Sequence, residues 1–182
     1  MTQSNRIMPV VYMRQARHDD LANIAAIIDH AKIYLKQQGL NQWQFGYPNQ
    51  ETILNDLNQK RGYVLIVDSQ VAGYAAIVAG EEPIYTKIES GDWLNQSTDY
   101  VAIHRFALSH LYRGQKLTQR FMTAILTYFF ERHVVDFRID THPENMPMQS
   151  VIRDTGFSKR GVVHIDEGND SHIRWAYQLV IK

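Results

Sequence analysis

A cluster of positive charge precedes the most strongly amphipathic segment of the chain. Residues 100–130 hold no Asp or Glu but carry four basic side chains, Arg105, Arg113, Lys116 and Arg120. Two of them belong to RGQKLT, residues 113–118, which leads from a strand-like run into a helical pattern. Free N–H groups and the dipole at a helix N-terminus bind anions, and adjacent basic side chains strengthen such a site. RGQKLT is therefore a candidate pyrophosphate-binding turn, the alternative being a solvated helix cap.

Residue types argue against several other kinds of site. The chain has no Cys, which excludes a disulfide framework, a thiolate zinc site, an iron–sulfur cluster and a cysteine nucleophile. The eight histidines form no HExxH motif, and Asp140 with His142 offers only two ligands, so we expect no metal site. No GxSxG motif supports a route through an acyl-serine.

Length and charge set broad limits on the class of protein. The 182 residues suit one compact domain, and we expect a loose leader over residues 1–9 and a domain over residues 10–182. The 19 basic and 19 acidic residues balance, so no global field attracts nucleic acid or anionic lipid. No apolar run approaches the roughly 20 residues that span a bilayer. We therefore expect a cytoplasmic monomer or homodimer that binds neither nucleic acid nor a membrane.

The hydrophobic pattern predicts seven strands and four helices in the order β, α, α, β, β, β, α, β, α, β, β. The strands are expected over residues 10–16, 62–68, 71–79, 100–109, 134–141, 157–165 and 172–181. The helices are expected after the caps Asp20 and Asn49, from Leu117, and over residues 145–154. Short spacing at 68–71 predicts a hairpin, whereas strand, helix, strand over 100–141 requires a parallel crossover. The fold class is therefore α/β (α+β), a single domain with a mixed central sheet of about seven strands and about four helices.

Three local expectations accompany this fold. The second helix is expected to be short and to carry the apolar residues Ile53, Leu54 and Leu57. Residues 81–99 are expected to form a long surface loop with at most one helical turn, and the sequence DEGND, residues 166–170, is expected to form a turn between the last two strands.

Two longer segments resemble a known family. IHRFALSHLYRGQKLTQRFMTAIL, residues 103–126, resembles the acyl-CoA-binding motif of the GNAT superfamily of N-acetyltransferases. THPENMPMQSVIRDTGF, residues 141–157, resembles the later family segment in which an Asn opens a helix that ends in Gly-Phe. The stretches QWQFGYP, YTKIESGDW, IHR and IDTHPEN resemble one bacterial subgroup of this family. The order of the predicted elements also fits the family's fold.

The resemblance implies acetyl-CoA as cofactor and names the residues that hold it. The backbone of Phe106, Ala107 and Leu108 would lie along the pantetheine arm, and Asn145 would contact the cofactor from the following helix. The pyrophosphate would be held by the backbone amides of Arg113, Gly114, Gln115, Lys116, Leu117 and Thr118.

Three residues depart from the family pattern. Lys116 replaces a usual Gly, and Thr118 replaces a Gly or Ala. Lys116 either supplies a compensating charge for the phosphates or crowds the loop, and we favour compensation. Ile152 occupies the position of a Tyr that family members often use to protonate the departing thiolate, so that acid is absent from this helix.

The family chemistry is direct attack of an amine on the thioester, which a base assists by removing a proton from the amine. His104 is the candidate base because an imidazole exchanges protons near neutral pH, and the alternative is a packed, hydrogen-bonded sheet histidine. His142, before Pro143, is a second candidate. Arg105 is expected to point to the opposite face of the strand and to form a structural ion pair.

The acceptor is expected among the irregular loops. Aromatic and acidic side chains suited to a cationic amine are Trp43, Tyr47, Glu82, Tyr85 and Trp93, although the two tryptophans could instead cover the core. Residues 81–99 carry five acidic residues against Lys87, which also favours a cationic acceptor. We therefore expect an acetyl-CoA-dependent N-acetyltransferase that acts on a primary amine of a small molecule or peptide. The alternative is a non-catalytic CoA-binding or regulatory module.

Overall fold

The computed structural model describes residues 8–166 and 171–182. The seven strands are β1 Val11–Gln15, β2 Gly62–Val67, β3 Gln70–Ala79, β4 Val101–Leu108, β5 Asp136–Thr141, β6 Ser158–Asp166 and β7 Ser171–Val180. The four α-helices are α1 Leu21–Gln37, α2 Gln50–Asn58, α3 Leu117–Phe130 and α4 Met146–Asp154. Their order confirms the prediction. Residues 1–7 of the predicted leader and residues 167–170 of the predicted DEGND turn lie outside the described residues.

All seven strands form one mixed sheet in the order β1-β2-β3-β4-β5-β7-β6. β4 and β5 run parallel, and the other neighbouring pairs are antiparallel, including the predicted hairpin of β2 and β3. The parallel pair is connected through α3, as the predicted crossover requires. The mixed sheet predicted from the sequence is therefore confirmed.

The parallel pair separates at its carboxyl end. β4 and β5 are paired only from Val101 with Phe137 to Ile103 with Ile139. Beyond that point β4 continues on β3 as far as Leu108, while β5 continues on β7 as far as Thr141. The two strands diverge because each follows a different neighbour. One backbone edge of β4 consequently faces an open crevice, the place where α/β sheets usually bind ligands.

The helices cover both faces of the sheet. One core cluster joins α3 and α4 to the sheet through residues such as Phe121 and Ile152. On the other face α1 and α2 pack on β2 and β3, and the segment between β3 and β4 covers the adjacent part. No helix among the described residues is long and apolar enough to cross a bilayer.

Helix α2 begins where the sequence predicts and buries one polar residue on its inner face. Asn49 caps it as expected, since its side chain accepts a hydrogen bond from Thr52 N. Ile53 and Leu57 are buried, but Leu54 is 37% exposed and Asp56 is buried instead. All three apolar residues lie in α2, but Leu54 does not share the buried face of Ile53 and Leu57. The buried carboxylate of Asp56 has a partner on β4, described below.

Candidate active site

A cleft of about 870 Å³ opens where β4 and β5 separate. It extends from the loop between α1 and α2, across β4, to the turn before α3. The predicted site residues that line it are Trp43, Tyr47, Glu82, His104, Phe106, Ala107, Leu108, Arg113, Gly114, Lys116, Leu117, Thr118 and Asn145. The structure thus brings segments from five parts of the chain to one opening in the sheet.

A β-bulge in β4 shapes the middle of this cleft. Tyr74 of β3 pairs with Ala107, and Ala76 pairs with His104, so two residues of β4 oppose one residue of β3. Arg105 takes the left-handed backbone conformation, with φ of 52°. This irregularity breaks the alternation of side chains along the strand. Arg105 reaches Asp56 of α2 while His104 stacks on Tyr85, and both partners lie on the same face of the sheet, so the expectation that Arg105 points to the face opposite His104 was wrong.

Arg105 is held by a buried ion pair with α2, as the sequence predicted for its role. Its Nε and Nη2 donate to the two carboxylate oxygens of Asp56, at 2.8 and 2.7 Å, and its Nη1 donates to the hydroxyl of Tyr47. The Tyr74 hydroxyl donates to the same carboxylate at 2.7 Å. A left-handed residue in a strand is unfavourable unless its surroundings fix it. The bidentate pair with Asp56 supplies that constraint.

His104 lies between a carboxylate and a buried aromatic ring. Its Nε2 is 3.3 Å from Oε2 of Glu82, and the two side chains are 14% and 18% exposed. Its ring stacks on Tyr85 with 5.9 Å between centroids. The interaction with His104 lowers the pKa of Glu82, against the opposing effect of burial. Glu82 therefore stays ionised at neutral pH and places a negative charge beside the His104 ring.

Two of the predicted acceptor residues are placed elsewhere. Tyr85 is buried beneath His104, and its hydroxyl donates to Oδ1 of Asp140 at 2.7 Å. Burial and the nearby Asp140 raise the pKa of Tyr85. Trp93 packs edge-on against Tyr85 and donates its indole N–H to the Tyr85 carbonyl. Neither residue lines the cleft. Tyr85 instead packs against the His104 ring, and Trp93 packs behind Tyr85.

The other end of the cleft has a backbone and charges that suit an anion. Gly114 and Lys116 adopt left-handed conformations, with φ of 77° and 55°, and Lys116 is the N-cap of α3. The first N–H groups of α3 have no acceptor within the helix and point toward this turn. The guanidinium of Arg113 lies 4.5 Å above the ring of Tyr34 of α1. Free amides beside two basic side chains fit a pyrophosphate.

Replacing Lys116 with Gly separates its charge from its backbone conformation. We expect Lys116→Gly to raise the unfolding free energy by up to about 1 kcal/mol, because Gly adopts the left-handed conformation at lower cost. We expect acetyl-CoA to bind about 2–5-fold more weakly, because an exposed positive charge near the phosphates is lost. Urea denaturation and calorimetric titration measure the two effects.

Lys60→Gly is the matched control for this change. Lys60 also has a left-handed backbone, with φ of 57°, and it lies outside the cleft. It should gain similar stability without a change in affinity. Tighter binding by Lys116→Gly than by the wild type would mean that the lysine crowds the loop.

Asn145 and His142 lie at the start of α4. The Oδ1 of Asn145 accepts from Met148 N and caps the helix, while its Nδ2 donates to Oε1 of Gln42 at 3.3 Å. This second bond joins the loop after α1 to the start of α4. His142 accepts a hydrogen bond at Nδ1 from Glu144 N, and it does not line the cleft. Of the two candidate bases, only His104 faces the opening.

Sequence reasoning missed several polar residues of this cleft. Among those that the structure adds are Gln42, Asp56, Arg61, Asp140, Thr141 and Arg174. Asp56 could have been noticed, because it lies three residues after Ile53 and so shares the apolar face of α2. Within residues 8–166 and 171–182, no group of three or more His, Asp or Glu side chains could hold a metal ion.

Comparison with known proteins places the chain in a family. The model of the acetyltransferase (GNAT) family matches residues 26–157. Comparison with curated proteins finds no match. A GNAT-family acetyltransferase from Streptococcus agalactiae has 32% identity, with 94% of this chain and 96% of that chain covered and a TM-score of 0.87.

More distant structures share the fold. The aminoglycoside acetyltransferase AAC(6')-Ib in complex with coenzyme A has 17% identity, with 94% and 95% of the two chains covered and a TM-score of 0.67. An acetyl transferase from Salmonella typhimurium, which modifies the N-terminal serine of ribosomal protein L7/L12, has the same identity, coverage and TM-score. The family model covers more than half of the chain, and a structure of the same family is 32% identical to it, so this chain belongs to the GNAT family of acetyltransferases.

Proposed function

We propose that the protein is an N-acetyltransferase that moves the acetyl group of acetyl-CoA to a primary amine by direct attack in a ternary complex. GNAT acetyltransferases use acetyl-CoA, and acyl transfer is the general class of this chain. The observation that carries the proposal is one continuous cleft with an anion-binding turn at one end and the His104–Glu82 pair at the other. This arrangement can hold a phosphate-bearing donor and deprotonate an amine in the same opening.

Residues from three elements would hold the donor. The turn before α3, with Arg113 and Lys116, fits the pyrophosphate, and the free edge of β4 over Phe106–Leu108 offers backbone groups to the pantetheine arm. Asn145 lies on the opposite lip, where its amide already reaches across to Gln42. Acetyl-CoA supplies the acetyl group as an activated thioester.

His104 would act on the acceptor. A protonated amine, with a pKa of about 10.4 for a lysine-like group, must lose a proton before it can attack a carbonyl carbon. The imidazole of His104 can take this proton, because the Glu82 carboxylate, 3.3 Å from Nε2, balances the positive charge that forms. His142 remains a weaker candidate because it lies outside the cleft lining.

The acceptor end suits an ammonium group. Trp43 and Tyr47 line this end and offer aromatic faces, and Glu82 offers an anion. Glu82 is the one acidic residue of segment 81–99 among the cleft-lining residues, so its charge, rather than that of the whole loop, would attract the amine. The related folds described above act on an aminoglycoside and on a protein N-terminus, which fits a small-molecule or peptide amine here.

Replacing Glu82 with Gln should weaken the base without removing it. We expect Glu82→Gln to lower kcat/KM about 10-fold, because the imidazolium formed during transfer loses its carboxylate. Glu81→Gln, an exposed neighbour outside the cleft, is the matched control and should keep wild-type activity. The double variant with His104→Ala should lose no more than His104→Ala alone, since both act on one proton transfer. Fully additive losses in steady-state kinetics would contradict the coupling.

Thiol release combined with a binding measurement tests the proposed function. The wild type should be stabilised by acetyl-CoA in a thermal shift experiment and should release CoA when a panel of primary amines is added. Binding without CoA release from any amine would favour the non-catalytic module, to which the altered turn and Ile152 otherwise point. If acetyl-CoA neither stabilised the protein nor appeared as a bound mass in native mass spectrometry, both functions would be contradicted.

A further inference from the structure

The hydroxyl of Thr141 is a polar group in the cleft that the mechanism above leaves unused. Thr141 is the last residue of β5, lines the cleft and is 1% exposed. Its Oγ1 is buried and has no hydrogen-bond partner among the residues that the structure describes. Burying a hydroxyl without a partner is unfavourable, and native structures rarely leave such a group without a reason. A valine of similar shape would fill this position without that cost.

The alternation along β5 shows which face carries this hydroxyl. Phe137 and Ile139 belong to the core cluster beneath α3 and α4. Asp140 faces the other way, where it accepts a hydrogen bond from Tyr85. Thr141 therefore shares the face of Ile139. Because His104 stacks on Tyr85, the candidate base and the Thr141 hydroxyl lie on opposite faces of the sheet at the point where it opens.

The polar side chains near the start of α4 are already occupied. Asn145 bonds to Met148 N and to Gln42, and Gln149 donates to the Pro143 carbonyl at 2.6 Å. Both are buried. The Thr141 hydroxyl, in contrast, has no partner beside these bonded side chains. Because Thr141 also lines the cleft, a ligand bound there is the candidate partner of this hydroxyl.

We propose that Thr141 is a further catalytic residue, which donates a hydrogen bond to the sulfur of the donor as it leaves. The inference rests on the proposed function. The amine nitrogen forms a bond to the acetyl carbon, and His104 takes the displaced proton. The carbon–sulfur bond breaks, and its electron pair stays on sulfur as a thiolate, to which Thr141 donates. A thiol with a pKa of about 8.5 can leave as its anion, so the thiolate needs stabilisation more than immediate protonation. Ile152 has no polar group that could stabilise the thiolate.

The replacement Thr141→Val separates this role from a structural one. We expect kcat to fall about 10–100-fold, because a hydrogen bond to a developing charge in a buried site is lost. The dissociation constant of acetyl-CoA should stay within about twofold, because the bond forms as sulfur becomes charged. The melting temperature of the free protein should not fall and should rise by about 2–4 °C, since an unpaired buried hydroxyl is removed. Thr141→Ser should restore kcat to within about threefold of the wild type, because it restores the donor.

Thr155→Val is the matched control. Its hydroxyl donates to the Val151 carbonyl at 2.8 Å at the end of α4, outside the cleft, so this variant should lose some stability and keep its kcat. If Thr141→Val does not fold, Thr141→Ala compared with Thr141→Ser gives the same contrast.

Two results would overturn the inference alone. One is a Thr141→Val enzyme with wild-type kcat; the other is a variant that loses acetyl-CoA affinity while keeping kcat, which would make the hydroxyl a binding group. A wild type that releases no CoA with any amine would overturn the proposed function together with this inference. The melting temperature and the affinity are measured without turnover, so these failures are distinguishable.

Discussion

Replacing His104 with Ala is expected to lower kcat/KM about 10²–10⁴-fold at neutral pH, the usual contribution of a general base. The loss should shrink as the pH approaches about 10, because a lysine-like acceptor then loses its own proton to solvent. The dissociation constant of acetyl-CoA should change little, since His104 lies toward the acceptor end of the cleft. A pH series of steady-state rates measures this effect.

The control for that experiment is His18→Ala. His18 is exposed, bonds to Asn58 and lies outside the cleft, so its loss should leave the pH–rate profile unchanged. An equal loss of activity by His104→Ala at every pH would make His104 a structural residue of the sheet. The deciding quantity is therefore the ratio of kcat/KM of the wild type to that of His104→Ala, followed as a function of pH.

The second large effect concerns stability. Asp56→Ala is expected to lower the unfolding free energy by about 3–5 kcal/mol, because it leaves the guanidinium of Arg105 buried without its partner. The side chains of Arg105 and Asp56 are 10% and 3% exposed. The Tyr74 hydroxyl also loses its acceptor. Because domains are stable by only about 5–15 kcal/mol, this one change can remove a large share of the total. Urea denaturation measures the loss.

Two further variants show whether the buried pair is the cause. Asp56→Ala combined with Arg105→Met should recover part of the lost stability, because removing both charges costs less than leaving one. Lys87→Ala breaks the exposed pair with Glu89, at 2.8 Å, and should have no measurable effect because solvent screens it. If Asp56→Ala stayed within about 1 kcal/mol of the wild type, the bulge in β4 would not depend on this ion pair.

Much of the fold could be read from local patterns. Period-two and helical spacing gave all seven strands and four helices in order, since each segment buries one face and ends at a cap or turn residue. The anion-binding turn was also visible, because Arg113, Gly114 and Lys116 are adjacent in the sequence. Such features depend on neighbours within a few residues, which a sequence displays directly.

The interior of the site depends on distant partners. Arg105 pairs with Asp56, which is 49 residues away, and a bulge at this point of β4 brings His104 and Arg105 to the same face of the sheet. Strict alternation along β4 therefore gave the wrong side for Arg105. Glu82 lies in an irregular segment, and no helical or strand periodicity in the sequence predicts where that segment packs. Thr141 resembles any strand threonine until the surrounding hydrogen bonds show that it has been left without a partner.

The most direct test of the central proposal is to follow an isotope-labelled acetyl group by mass spectrometry. Wild-type protein is mixed with acetyl-CoA carrying a deuterated acetyl group and a panel of primary amines. We expect the label on the nitrogen of at least one amine, with free CoA in equal amount and no label on the protein. Label retained on the protein, or bound acetyl-CoA with no labelled amine from any member of the panel, would contradict direct transfer in this cleft.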